Sequence, residues 1–285
     1  MSKIQRIYTK NAAYQKFLVL LSNRVKRHKY NEFIVEGVRN INEAVKNGWQ
    51  INSFIYPHKK KLSGWAASLL ENIKTNLNYE LDDVLMNELS GKQDVSELIA
   101  VANMKNDENI FIIPETLRSD PVFVLFDRPS NKGNLGTTLR SCDAFGAELL
   151  IITGHGVDIY DPEVIAASAG SFFKVPFVRL SDNSEINRYI NELKSKFPRL
   201  KIIGTTAHDK TVIYDIDLNS SVLLLIGNET DGLSRFYYDL CDVTATIPMD
   251  ENSSASSLNV SCAAAIMLYE AARQRRTLND CPVSG

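Results

Sequence analysis

Five side chains fall where a folded α/β chain would gather them. Asn134 and Arg140 stand six residues apart in NLGTTLR, just after the apolar run VFVLFD at 122–127. Glu229 closes VLLLIGNE at 222–229, and Ser257 and Asn259 lie in SSASSLNVS, ahead of an alanine-rich helical stretch. Ligands of open parallel sheets sit at the carboxyl ends of the strands, and these residues all follow strand-like runs. A guanidinium there can hold a phosphate or orient a hydroxyl through a bidentate contact, and a carboxylate and amides can fix its direction. Each residue also has an ordinary structural reading: Arg140 as an exposed arginine, Glu229 as a carboxylate favoured at a helix start, Asn259 as a helix N-cap. Leu135, Leu139 and Cys142 make one helical stripe. Arg140 lies about 100° or more around from it, so it points away from the face that this helix must bury.

Several familiar chemistries are missing. GxxxxGK[ST] does not occur, which argues against a P-loop, and NKGNLGTT lacks the GxGxxG spacing of a dinucleotide site. There is no GxSxG elbow, and none of His28, His58, His155 and His208 neighbours a serine it could activate. Cys142, Cys241, Cys262 and Cys281 form no CxxC or Cys/His pair, so free thiols in a cytoplasmic protein are expected and a metal site is not.

The elements that must position the five side chains follow from periodicity. The strand-like runs VFVLFD, LLIIT (149–153), KIIGTTA (201–207), VLLLIGNE and the weaker TATIP (244–248) are separated by helical segments at 134–145, about 162–170, 183–196, 233–240 and 258–276. Apolar strands joined by helices predict a parallel sheet covered on both faces. Upstream, the first 31 residues read as helical. They are followed by a strand at FIVEG (33–37), a helix to Gly48, a strand at 51–56, helices in 62–75 and 79–89, and a strand in 97–104. The polar, proline-containing stretch 106–121 marks a boundary. The reading is therefore a smaller N-terminal α/β domain at 1–108, a linker at 109–120 and a parallel-sheet domain at 121–285.

With 285 residues, 44% of them hydrophobic and 23% charged, the chain can bury a substantial core. No apolar run approaches the length of a membrane span, and MSKIQRIYTK has no signal-peptide pattern. Net charge is −2, but residues 1–108 carry +4. RVKRHK at 24–29 is the densest basic cluster. It reads either as a solvated helix face or as a phosphate contact through Arg24, Lys26, Arg27 and Lys29.

Three stretches in order, NLGTTLRSCDAFGA (134–147), LLLIGNETDGLS (223–234) and IPM…SLNVSCAAAIMLYEAARQR (247–249 and 257–275), resemble the motifs of the SpoU (TrmH-type) branch of the SPOUT RNA methyltransferases. RHKYNEFIVEGVRNINEAV (27–45) resembles that family's N-terminal substrate-binding domain. The resemblance implies a C-terminal SPOUT domain with a deep trefoil knot and a homodimer joined through the knotted domain. The implied activity is S-adenosylmethionine-dependent methylation of a ribose 2′-hydroxyl, with ribosomal RNA as the expected substrate and no metal. It implies that Arg140, Asn134, Glu229, Ser257 and Asn259 are the catalytic, substrate-side residues, with Arg140 matching the family arginine proposed to assist loss of the 2′-hydroxyl proton. Gly204, Thr205, Gly227, Asn228, Ile247, Met249 and Leu258 would then cradle the cofactor. The linker DENSSAS between IPM and SLN is seven residues long and has no glycine, a departure from the family pattern. Alternatives are a transfer-RNA 2′-O-methyltransferase, a non-catalytic RNA-binding ribosome-assembly protein and a small-molecule methyltransferase.

Overall fold

The computed structural model describes residues 2–91, 94–105, 113–114, 117–207 and 211–276. It divides into two compact units, Met1–Asp107 with Asp158–Lys174, and Glu108–Val157 with Val175–Gly285. Of the linker expected at 109–120, only 113, 114 and 117–120 are among the described residues.

The first unit holds a five-stranded sheet in the order β1-β4-β3-β5-β2. Its strands are β1 (Lys3–Ile7), β2 (Glu32–Glu36), β3 (Ile51–Pro57), β4 (Leu77–Leu81) and β5 (Ile99–Asn103). β1, β4 and β3 run parallel, and β5 is antiparallel to both β3 and β2. Helices α1 (Ala12–Ser22), α2 (Arg24–Tyr30), α3 (Val38–Lys46), α4 (Gly64–Asn72) and α5 (Asp83–Ser90) surround it. One face of the sheet packs Ile7, Ile34, Ile55 and Leu81 on Tyr14, Phe17 and Leu20 of α1 and on Leu85, Met86 and Leu89 of α5. The start of the chain corrects the helical expectation, because KIQRI pairs with Leu77–Leu81. A partner that distant in sequence overrides local periodicity.

Residues 158–174 also pack in this unit, although the sequence reading places them in the second domain. They carry α7 (Pro162–Ser168) and a 3-10 turn at Ser171–Phe173. Tyr160, Phe172 and Phe173 close around Phe33, with centroids 5.1–6.5 Å apart, and the Trp49 Nε1–H donates to the Phe173 carbonyl at 2.9 Å. Arg27, 1% exposed, explains the polar part of this contact. Its guanidinium reaches Asp158 at 2.7 Å and Asp161 at 3.3 Å, and donates to the Leu20 and Leu21 carbonyls. A buried charge is tolerable only when paired and fully hydrogen-bonded in this way.

The second unit is a six-stranded parallel sheet, order β11-β9-β10-β6-β7-β8. Its strands are β6 (Val122–Phe126), β7 (Leu149–Thr153), β8 (Phe177–Leu180), β9 (Lys201–Thr205), β10 (Val222–Ile226) and β11 (Val243–Ala245). β6, β7 and β10 are buried at every position, as expected for strands covered on both faces. The covering helices include α6 (Lys132–Phe145), α8 (Asn183–Lys196), α9 (Arg235–Leu240) and α10 (Val260–Arg275), with α10 packed along α6. The expected α/β class with a parallel second sheet is observed. In this sheet the short β8, FVRL, has no counterpart in the sequence reading; in the first sheet neither β1 nor β4 has one, since Leu77–Leu81 is a strand ahead of the helix expected within 79–89. Among the described residues no helix is long and apolar enough to cross a membrane.

Candidate active site

Strand order reverses at β6, with β7 and β8 on one side and β10, β9 and β11 on the other. Such a reversal opens a crevice at the carboxyl ends of the strands. The connections after β6, β9, β10 and β11 meet there around a cavity of about 720 Å³, within the usual range for a small-molecule site.

The loop after β10 folds back on itself. Asn228 and Gly232 exchange backbone hydrogen bonds of 2.9 and 3.0 Å, and Gly232 takes φ +68°. A Cβ on Gly227 would stand 2.3 Å from the Gly232 carbonyl carbon and 2.5 Å from the Leu233 nitrogen. Only glycine permits that approach. The Asn228 side chain accepts from the Thr230 N–H at 2.9 Å and donates to the Arg128 carbonyl at 2.8 Å, tying this loop to the one after β6.

That second loop starts from a fixed point. Asp127 is fully buried and takes both arms of the Arg128 guanidinium at 3.0 Å, while Arg128 itself adopts φ +42°, an unusual conformation for a non-glycine residue. Two residues on, Ser130 donates to Glu229 Oε2 from its N–H at 3.0 Å and its hydroxyl at 2.8 Å. The Asn131 N–H donates to Oε1 at 3.2 Å. Burial alone would push the Glu229 carboxyl upward, but the donors from Ser130 and Asn131 outweigh it and hold it below the ordinary range. Glu229 is therefore an anion at neutral pH.

From Glu229 a chain of amides crosses the cavity mouth. Asn134 donates through Nδ2 to Glu229 Oε1 at 3.3 Å, and its Oδ1 accepts from Asn259 Nδ2 at 3.1 Å. Asn259 Oδ1 caps α10, accepting from the Ser261 N–H at 2.9 Å and hydroxyl at 2.7 Å. The capping and substrate-side readings of Asn259 are thus compatible, because each uses a different atom of one amide. Asn131 likewise caps α6, accepting from the Asn134 N–H at 3.0 Å.

Asn134, Glu229, Ser257 and Asn259 line the cavity, as do Thr205, Gly227, Asn228, Ile247, Met249 and Leu258. Two expected residues do not. Gly204 is buried behind the wall, where a Cβ would stand 2.5 Å from Cys241 Sγ and 2.8 Å from Leu233 Cδ1. Arg140 is exposed on α6, away from Leu135, Leu139 and Cys142, which are fully buried. No hydrogen bond or ion pair holds its guanidinium among the described residues. Ser130 and Asn131 were not singled out in the sequence. The available signal is DRPSN, a Ser-Asn pair between a strand end and a helix start.

The expected RNA contacts divide. Arg24 and Lys29 are exposed and Lys26 is half-buried. Arg27 is corrected: its guanidinium is buried against Asp158 and Asp161 and is not presented to a phosphate.

The site fits a small apolar-and-polar ligand held by main chain: the missing Cβ of Gly227 lets the loop after β10 close on itself, so that its backbone lines the cavity, and Ile247, Met249 and Leu258 supply apolar walls. Comparison with known proteins agrees with this reading. Residues 121–269 match the SpoU rRNA Methylase family, and residues 11–100 match the SpoU L30e-like domain. The 23S rRNA (uridine(2479)-2′-O)-methyltransferase of Streptomyces viridochromogenes is 42% identical over 95% of this chain and 93% of its own length. RlmP of Bacillus subtilis, a 23S rRNA (guanosine(2553)-2′-O)-methyltransferase, is 25% identical over 87% of this chain and 92% of its own length. The crystal structure of the SpoU methyltransferase AviRb from Streptomyces viridochromogenes in complex with AdoMet superposes with a TM-score of 0.86 at 41% identity, covering 93% of this chain and 98% of that one.

Proposed function

This chain belongs to the SpoU rRNA methylase family, and we propose from that premise how its cavity and amide relay serve the reaction. The protein is an S-adenosylmethionine-dependent methyltransferase that modifies a ribose 2′-hydroxyl of ribosomal RNA. The cofactor supplies a methyl group on a sulfonium centre, which needs a nucleophile in line and a place for one proton.

The residues divide by what they touch. Gly227, Ile247, Met249 and Leu258, with Thr205 and Asn228, hold the cofactor; Gly204 supports the wall from behind. Glu229, fixed as an anion by Ser130 and Asn131, locks Asn134, and Asn134 and Asn259 present a rigid amide edge to the ribose. Ser257 offers a hydroxyl beside them. Fixed dipoles of this kind lower a barrier because they need no reorganisation during the reaction. Arg140 acts on the RNA phosphate and the 2′-hydroxyl. A guanidinium stays protonated, so its role is orientation and charge, and the proton that the 2′-hydroxyl gives up on methylation would pass to water.

Arg140 lies outside the cavity of its own chain, and a second copy of the protein supplies the missing side. The outer stripe of α10 presents Cys262, Ile266, Tyr269 and Arg273 at helical spacing, with Ile266 39% and Tyr269 51% exposed. A homodimer through this helix, in a knotted second domain, buries that stripe. A parallel-sheet catalytic domain following a smaller RNA-docking domain, and action in the cytoplasm, complete the proposal.

The observation that carries it is the relay Glu229–Asn134–Asn259 at the cavity mouth. The intact relay disfavours a non-catalytic RNA-binding protein. The test is to bind S-adenosylmethionine calorimetrically and to follow tritiated methyl transfer into deproteinised 23S ribosomal RNA. Absence of both cofactor binding and transfer sinks the assignment.

A further inference from the structure

The burial of Arg27 moves the question of where RNA docks on the first unit to a different part of it. The carboxyl ends of the three parallel strands β1, β4 and β3 form a platform that no assigned role uses. β1 is an edge strand, and one of its faces exposes Ile4 (55%) and Tyr8 (56%) with Arg6 between them. In register, Arg6 and Tyr56 both pair with Glu80. The Glu80 carboxylate accepts from Arg6 Nε at 2.8 Å and stands 3.0 Å from His58 Nδ1. Two residues further along each strand, the rings of Tyr8 and His58 meet edge to face, centroids 5.7 Å apart. The platform is cross-tied: the His58 N–H donates to the Leu81 carbonyl at 2.8 Å, and the Asp82 N–H donates to the Ile7 carbonyl at 2.9 Å.

Directly after His58 come Lys59, Lys60 and Lys61, all exposed. No ion pair neutralises them among the described residues. Four carboxylates of this unit already have partners of their own. Glu80 serves Arg6 and His58, Glu88 takes Lys10 at 2.6 Å, Glu97 takes the Ser63 N–H and hydroxyl at 2.9 and 2.6 Å, and Asp82 caps α5 through the Val84 N–H. Three adjacent exposed lysines raise the local positive potential, which attracts a polyanion.

We infer that Tyr8, His58 and Lys59–Lys61 form the RNA-docking surface of the first unit, with the lysines on successive phosphates and an unpaired base stacked on the exposed face of Tyr8. The inference rests on the ribosomal RNA methylation proposed above. Its physical content is the pairing that single-stranded RNA demands, a cationic rim beside an accessible aromatic plane. The α2 cluster offers less. Its central arginine is buried against Asp158 and Asp161, its His28 ring is turned edge to face onto Tyr160 and stands 3.6 Å from the Asp158 carboxylate, its exposed Tyr30 ring is already covered by Lys16 at 5.1 Å, and α2 leads into β2 at the far edge of the sheet.

The test titrates deproteinised 23S ribosomal RNA against the full chain at several salt concentrations. Changing Lys59, Lys60 and Lys61 together to Ala is expected to weaken binding at least tenfold. It should also flatten the slope of log affinity against log salt by about two, since each phosphate contact contributes roughly 0.7–0.9. Tyr8→Ala is expected to weaken binding about tenfold with the slope unchanged, and Tyr8→Phe to retain it. Thermal unfolding and S-adenosylmethionine affinity, measured on each variant, should match the wild type. The proposal is overturned if the lysine and Tyr8 variants bind normally, or if Lys26→Ala with Lys29→Ala carries the loss instead. Binding only to assembled ribosomal particles would place a protein partner on this surface and overturn it as well. Methyl transfer by the wild type is followed in parallel. RNA binding through this end without transfer counts against the catalytic reading alone, and transfer with indifferent variants counts against the docking surface alone.

Discussion

Asn259 and Asn134, 125 positions apart in sequence, share a hydrogen bond of 3.1 Å from Nδ2 to Oδ1. The same Asn259 side chain uses its oxygen to cap α10, so one amide anchors a helix and completes a polar edge. The two roles are separable. Asn259→Ala should cost about 1 kcal/mol of stability through the lost cap and also suppress methyl transfer. Asn259→Ser keeps a capping oxygen but loses the amide donor, so it should unfold in urea close to wild type and still transfer poorly. A Ser variant with wild-type transfer would remove Asn259 from the substrate side.

Arg140→Ala tests the one site residue that stands outside the cavity. The side chain is exposed, so stability should change by no more than about 0.5 kcal/mol. S-adenosylmethionine binding should persist while transfer falls about a hundredfold or more. Tritiated-methyl incorporation near the wild-type rate would show that Arg140 has no part in the reaction.

Gly227→Ala and Gly204→Ala should differ. At Gly227 the added carbon meets backbone at 2.3 and 2.5 Å, which cannot move without opening the loop, and calorimetry should find cofactor binding abolished. At Gly204 it meets the side chains of Cys241 and Leu233, which can rearrange at about 1–3 kcal/mol. That variant should bind more weakly but measurably. Equal loss in both would mean that the wall behind the cavity matters as much as its lining.

Glu229 makes a pH prediction. Its folded-state carboxyl lies below the ordinary 4.5, so its contribution is present above the unfolded value and disappears as pH falls through the folded one. The melting-temperature gap between wild type and Glu229→Gln should be constant above about pH 5 and narrow below 4.5. A gap that widens on acidification would contradict the clasp by Ser130 and Asn131.

Thiol labelling reports on the α10 stripe. Burial pushes Cys142 up to about 12 and Cys241 up to about 11, so both should resist alkylation at pH 8, whereas Cys262 is exposed in the single chain. In a Cys281→Ser background, slow labelling of Cys262 that accelerates on dilution is the expected signature of a dimer seam. Fast labelling at every concentration would place the seam elsewhere.

Much of this molecule is legible in its sequence, for identifiable reasons. The strands VFVLF, LLIIT and VLLLI announce themselves because burial on both faces leaves no polar position to blur them. Asn134, Glu229 and Asn259 could be located because strand ends in parallel sheets converge. Other features were not legible. β1 depends on a partner at Leu77–Leu81, and no local pattern in KIQRI reveals it. RVKRHK reads as uniformly basic, yet Arg27 turns inward because carboxylates at 158 and 161 are folded against it. Ser130 and Asn131 act largely through backbone N–H groups, which every residue other than proline carries.

The inward turn of Arg27 also sets an order of events during synthesis. Asp158 and Asp161 leave the ribosome well after the first hundred residues have emerged, a delay on the order of five seconds at ordinary elongation rates. Through that interval the nascent first unit holds an unpaired guanidinium and an aromatic cluster around Phe33 and Trp49 with one side open. The unit can close only by retrieving a segment made after β6, α6 and β7. A fragment ending at residue 108 lacks Asp158, Asp161 and Phe172, and so leaves the Arg27 guanidinium without its carboxylates and the Phe33 ring without its cover.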